Sequence, residues 1–158
     1  MRKISPFLWF DTQAEEAAKF YTSLFNNSAI TSTTRYPEGS PAPAGSVMTV
    51  SFKLEDEEFT ALNAGPVFKF NESVSFYVNC DSQEEVDKYW NAIIANGGTE
   101  SQCGWIKDKF GLSWQIVPTL LPKLMSDPDK QKAARVMGAM MKMKKINCKL
   151  LQDAYDQK

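Results

Sequence analysis

SVSFYVNCDSQEEVDKYWNAII, residues 73–94, decides the reading of this chain. Residues 73–80 are aromatic and β-prone and read as a strand. Asp81-Ser82 then opens a helix, with Ser82 and Glu85 at capping-box spacing. Val86, Tyr89, Trp90, Ile93 and Ile94 form one apolar helical stripe, and Gly97-Gly98 closes it. The same design stands near the start. Residues 4–10, ISPFLWF, read as a buried strand with Pro6 near its edge, and Thr12 with Glu15 forms another capping box. The stripe Ala14, Ala17, Ala18, Tyr21, Leu24, Phe25 follows, and Asn26-Asn27 ends it. The two cap segments, Asp11-Thr12-Gln13-x-Glu15 and Asp81-Ser82-Gln83-x-Glu85, lie 70 positions apart. The stripes lie 69 apart, with Ala17 matching Val86, Tyr21 matching Trp90 and Phe25 matching Ile94. This pattern predicts an internal duplication of a β-α-β-β-β unit, a two-fold pair and not an array.

Working outward, Ala29 to Tyr36 is threonine-rich and predicts a strand. PEGSPAPAG (37–45) is a loop, and Val47 to Leu54 alternates as a strand. Glu55-Asp56-Glu57 turns the chain and Glu58 to Asn63 returns, so 47–63 reads as a hairpin. Asn63-Ala64-Gly65-Pro66 then breaks the pattern. After the second helix, short strands are expected around Cys103–Lys107 and Ser113–Val117. The tail from Leu120 reads as helical, capped by Asp127 with Pro128 first in the helix, and with Ala133, Val136, Met137, Met140 and Met141 on its apolar face. The expected division is 1–66, 67–119 and a helical extension 120–158, within one compact domain.

Composition narrows the function. The 158 residues are 43% hydrophobic, enough for a core without a disulfide or metal staple. A net charge of −1 exerts no pull on nucleic acid or an acidic membrane. Lys142, Lys144 and Lys145 read as a solvated helix face, and Glu55 to Glu58 as an exposed turn. MRKISPFLWF lacks the long apolar run and small-residue cleavage site of a signal peptide, and no stretch approaches a membrane span. Cys80, Cys103 and Cys148 are odd in number and far apart, which predicts reduced thiols in a cytoplasmic protein. There is no histidine. That excludes the usual Ser-His-Asp and Cys-His triads and every His-based metal site.

The runs PFLWFD with AEEAAKFYTSLF, SFYVNCDSQEEVDKYW, and CGWIKDKFGLSWQIVP resemble the vicinal oxygen chelate superfamily of glyoxalase, bleomycin-resistance and dioxygenase proteins. They resemble in particular its PhnB-like branch, often labelled 3-demethylubiquinone-9 3-methyltransferase-like. The likeness extends over essentially the whole chain, including the Met-rich tail. It implies an α+β fold in which two paired βαβββ modules form an incomplete barrel around a shared cavity, followed by C-terminal helices, usually in a homodimer. Many such relatives hold a divalent metal on four strands. Carried over, those positions fall at Ile4, Ala61, Ser73 and Gln115, of which only Gln115 is a credible ligand. One neutral oxygen does not hold such a cation against water, so no metal site and no cofactor are expected. The methyltransferase label finds no support in the glycines, which contain no G-x-G turn.

The candidate ligand-binding residues each have a structural alternative. Gln115 faces the cavity if Trp114 and Ile116 pack under a helix, with Val117 beside it; it is either a ligand-orienting or a structural amide. Asn63 shares parity with Ala61 and either points inward or shapes its turn. Ser73, Ser75 and Tyr77 share one strand face and suit a polar wall or an exposed one. Phe68 and Phe70 read as core or lid, Trp105 as core or pocket wall, and Leu8 on the first strand completes the set. The methionines 137, 140, 141 and 143 suit packing or an adaptable binding face.

The reading that follows is a protein that binds a small, partly aromatic organic ligand, with no nucleic-acid or membrane partner and no assigned reaction; whether it is an enzyme is left open. The alternatives are a divalent-metal lyase, isomerase or dioxygenase of the same fold, and a methyltransferase acting on a quinol precursor.

Overall fold

The computed structural model describes residues 3–157, which divide into two compact units at Phe70/Asn71. The first contains β1 (Phe7–Phe10), α1 (Ala14–Leu24), β2 (Ala29–Arg35), β3 (Val47–Leu54) and β4 (Glu57–Asn63). The second contains β5 (Ser75–Cys80), α2 (Gln83–Ala95), β6 (Thr99–Glu100), β7 (Trp105–Lys107) and β8 (Ser113–Pro118), then α3 (Leu120–Met125), α4 (Lys130–Met140) and α5 (Cys148–Asp156). Each unit has one four-stranded sheet, ordered β1-β4-β3-β2 and β5-β8-β7-β6. In both, the first and last strands pair in parallel and the others antiparallel. The duplicated α+β architecture expected from the repeated cap and stripe is therefore present, and neither sheet closes on itself among the described residues.

Strand alternation sorts the side chains of each sheet. In the first unit Leu8, Val50 and Ala61 lie in one cross-strand row and are buried on the side carrying α1. The Tyr21 ring meets Phe52 at 6.1 Å, and Phe52 stacks on Phe59 at 5.2 Å. In the second unit Val86, Trp90 and Ile93 of α2 are buried, as are Ile106, Trp114 and Ile116 of the sheet.

Several boundaries differ from expectation. β1 begins at Phe7, because Pro6 has no N–H for the ladder, although its carbonyl accepts from Thr60 N at 3.1 Å. The Thr12–Glu15 box does not form: the N-cap is Gln13, which makes no side-chain cap, and the Ala14 N–H donates instead to Asn63 Oδ1 at 2.8 Å. α2 does carry its own cap, with Glu85 N donating to Ser82 Oγ at 3.3 Å and Asp81 N to Glu85 Oε2 at 2.7 Å. β5 starts at Ser75, not residue 73, because both the N–H and the hydroxyl of Ser73 donate to Asn71 Oδ1 in a side-chain-closed turn. β6 is an additional strand of two residues.

The tail is three helices. Asp129, not Asp127, caps α4 by accepting from Gln131 N at 2.9 Å. Asp127 instead accepts the Tyr155 hydroxyl at 2.6 Å. Val136 of α4 is buried in a cluster with Val117, Leu121, Leu124, Ile146 and Leu151, whereas Met137 and Met141, expected on the apolar face, are exposed.

Candidate functional site

β5, β8 and β7 turn one side chain in two away from α2, and these align across the strands. Tyr77 is in register with Gln115, and Gln115 with Trp105. The adjacent row is Ser75, Ser113 and Lys107. Directly opposed residues on neighbouring strands bring their side chains side by side. Gln115 Nε2 donates to Ser75 Oγ at 2.9 Å, which fixes the amide in the middle of the block. Tyr77 is about half-exposed; partial burial and the nearby Cys80 thiol raise its hydroxyl pKa. Lys107 Nζ is paired with the Glu72 carboxylate, which lies on the turn before β5, and that hydrogen bond lowers the Glu72 pKa. A cavity of about 250 Å³ opens on this face, lined by Trp105, Lys107, Ser113, Thr99 and Glu72. Ser113 is only 2% exposed.

Four of the expected ligand-wall residues, Gln115, Ser75, Tyr77 and Trp105, are thus brought onto one face. Lys107, Ser113 and Glu72 were missed. For the first two the signal was parity: each lies two positions from Trp105 or Gln115 and shares its face. Val117 has the parity of Gln115, but the C-terminal cluster buries it, so it faces no cavity. Ser73 is exposed in its turn and off the strand.

The first unit places its candidates differently. Leu8, 6% exposed, packs on the α1 side of the sheet, so it is a core residue; Phe7 and Trp9 occupy the open face. Phe68 meets Trp9 edge-on at 4.9 Å and Phe70 meets Phe10 edge-on at 5.2 Å. A larger cavity of about 660 Å³ lies between the start of α1, the 41–43 loop and the end of β4, with Glu15, Tyr36 and Asn63 in its wall. Asn63, Tyr36 and Glu15 in this wall are committed to structure. Besides capping α1, Asn63 donates from Nδ2 to Val47 O at 3.1 Å and accepts the Tyr36 hydroxyl on its carbonyl at 2.5 Å. Glu15 is paired with Lys19 at 2.8 Å.

The positions carried over from metal-binding relatives do not fit a cation. Ile4 precedes β1, and Ala61 is buried beneath α1. Ser73 is closed on Asn71, and Gln115 is a lone neutral amide bonded to Ser75. Among the described residues no group of three or more His, Cys, Asp or Glu could hold a metal ion, and no helix is long and apolar enough to cross a membrane.

Comparison with solved structures places the chain. It is 36% identical to a putative 3-demethylubiquinone-9 3-methyltransferase, PhnB protein, from Bacillus cereus, covering 75% of this chain and all of that one, with a TM-score of 0.68. The protein PA1353 from Pseudomonas aeruginosa is 22% identical over 75% of this chain and 98% of its own, TM-score 0.60. The fosfomycin resistance protein FosX from Listeria monocytogenes, complexed with Mn(II) and sulfate, shares the fold at 13% identity, covering 72% of this chain and 88% of that one, TM-score 0.51. No curated protein matches. A family model described as 3-demethylubiquinone-9 3-methyltransferase matches residues 2–117, so this match stops short of the Met-rich tail that the sequence resemblance had taken in. With two sheets of identical topology and a family match across both, the chain belongs to the 3-demethylubiquinone-9 3-methyltransferase family, the PhnB-like branch of the vicinal oxygen chelate fold.

Proposed function

We propose that this protein binds a small, partly aromatic organic molecule on the open face of β5, β8 and β7, without a metal ion. The observation that carries the reading is the in-register block of Trp105, Gln115, Tyr77 and Ser75. Indole and phenol supply apolar area with little side-chain entropy to lose, and the Gln115–Ser75 pair sets an oriented amide between them. No reaction is assigned. The Cys80 thiol, pushed up to about 12 by burial, is no nucleophile at neutral pH. Methyl transfer, as in the family description, is not adopted, because the glycines lack the usual nucleotide-binding turn; S-adenosylmethionine binding at micromolar affinity would restore it.

The test uses saturation-transfer NMR with a panel of benzoate, phenol and benzylamine. At least one member binds the wild type, and Gln115→Leu weakens it at least tenfold with an unchanged melting temperature. Equal binding by the variant, or no binder at millimolar concentration, overturns the reading. Stoichiometric manganese, iron, nickel or zinc in chelator-free protein overturns its metal-free half.

The reading includes a homodimer in the cytoplasm. Exposed Phe7, Val67 and Phe68 support the former, and three free thiols the latter. Light scattering at twice the chain mass of 17.8 kDa is the expected result, and a monomer at micromolar concentration argues against the dimer.

A further inference from the structure

The open face holds a second, more specific feature. Ser113 is 2% exposed and lines the cavity of about 250 Å³. A hydroxyl set in a cavity wall can both donate to and accept from a polar occupant. Lys107 lies directly across from it on β7. The ammonium already holds an anion, the Glu72 carboxylate, from a turn outside the sheet. The side chains of this pair are 41% and 62% exposed, and ion pairs so open to water contribute little stability. Glu72 can therefore leave at small cost, and its lowered pKa keeps it ionised at neutral pH. Two positions along β7 from Lys107, on the same face, Trp105 presents its indole to the same cavity.

We propose that the cavity is a carboxylate subsite: an aromatic carboxylate rests its ring on Trp105, places its carboxylate on Lys107 Nζ and Ser113 Oγ, and displaces Glu72, which otherwise occupies the ammonium as an internal stand-in. This deepens the functional reading above and rests on it. One lysine and one hydroxyl in so small a space suit a monoanion. Glu100, the other carboxylate in the wall, is engaged by Trp90 Nε1 and Lys144, each at 3.3 Å, and leaves Lys107 to the ligand.

The test is calorimetric titration with benzoate and with its neutral isostere benzamide. Benzoate binds the wild type at least tenfold more tightly than benzamide, and salt weakens it. Lys107→Met lowers benzoate affinity at least tenfold and Ser113→Ala several-fold. Glu72→Gln, which removes the competing anion, raises it several-fold; a merely structural ion pair would not produce this gain. Melting curves confirm that each variant is folded. Unchanged or weaker benzoate binding by Glu72→Gln overturns the inference, as does equal binding of benzamide. Benzamide bound as well as benzoate, and weakened by Gln115→Leu, would leave the open-face site standing while removing the carboxylate subsite. Failure of both ligands to bind at millimolar concentration would remove both.

Discussion

Asp108→Ala lowers the unfolding free energy by about 3–5 kcal/mol, because two buried donors and one part-buried donor lose an acceptor worth about 1–3 kcal/mol each, partly recovered by water. The carboxylate is 4% exposed. Its Oδ1 accepts from Phe110 N at 2.9 Å and Leu112 N at 3.0 Å, and its Oδ2 from Trp114 Nε1 at 3.0 Å. The Asp108 N–H donates to Leu112 O at 2.9 Å, and Gly111, at φ +92°, turns the chain in a conformation that side chains rarely adopt. The K-D-x-F-G-x-S-W run is thus a turn closed around one acid, and it sets the register that places Ser113 beside Lys107 and Gln115 beside Trp105. Urea denaturation measures the loss, and Asp108→Asn, which keeps one acceptor oxygen, costs less. A loss below about 1 kcal/mol for the alanine variant would show that the turn holds without its carboxylate.

Ile146→Ala is expected to cost about 2–5 kcal/mol, the range for a large core side chain cut to a methyl. Ile146 is fully buried with Val117, Val136 and Leu151. The loop that carries it is stitched to the rest of the second unit, at the start of β7 and of α2, through its backbone. Cys103 N donates to Met143 O and Gly104 N to Lys144 O, both at 2.8 Å. Gln83, in the first turn of α2, donates to Ile146 O at 3.1 Å and accepts from Cys148 N at 2.8 Å. Gly104 sits at φ +85°, and a methyl there would come within 3.0 Å of Ile116 O and 3.1 Å of the Ile146 side chain. The C-terminal helices, beyond the family match, therefore complete the core of the second unit. A single urea transition shifted to lower concentration with unchanged slope is the expected observation. A loss under about 1 kcal/mol would mean that the extension rests loosely on the sheet.

What could be read from sequence followed the range of the interactions. The second helix was legible because Ser82 and Glu85 lie within one turn of each other. The start of α1 was not, because its partner Asn63 comes 49 positions later, after a hairpin has brought it back. β6 was invisible because Thr-Glu after a glycine pair carries no periodicity. Leu8 was set on the wrong face for a related reason: in FLWF every residue is apolar, so alternation has no polar phase to mark inside from outside. On β8 the phase was readable, and Gln115 emerged opposite Trp114 and Ile116 as expected. Lys107 and Ser113 shared that phase, but a strand lysine reads as solvated and a strand serine as exposed until burial is known. Val117 obeyed the same parity and still proved to be core, because helices far along the chain cover that end of the strand.

The outermost strand of the first sheet has a bearing on solubility. β2 is seven residues long, rich in threonine and terminal in its sheet, which makes it the type of edge onto which a foreign strand could add. Its register with β3 slips twice, between Ile30 and Ser32 and again between Thr34 and Arg35. Each slip bends the strand and throws its donors and acceptors out of step. An incoming chain would meet a broken ladder ending in a charged arginine, so the irregular edge guards the molecule against sheet-to-sheet aggregation.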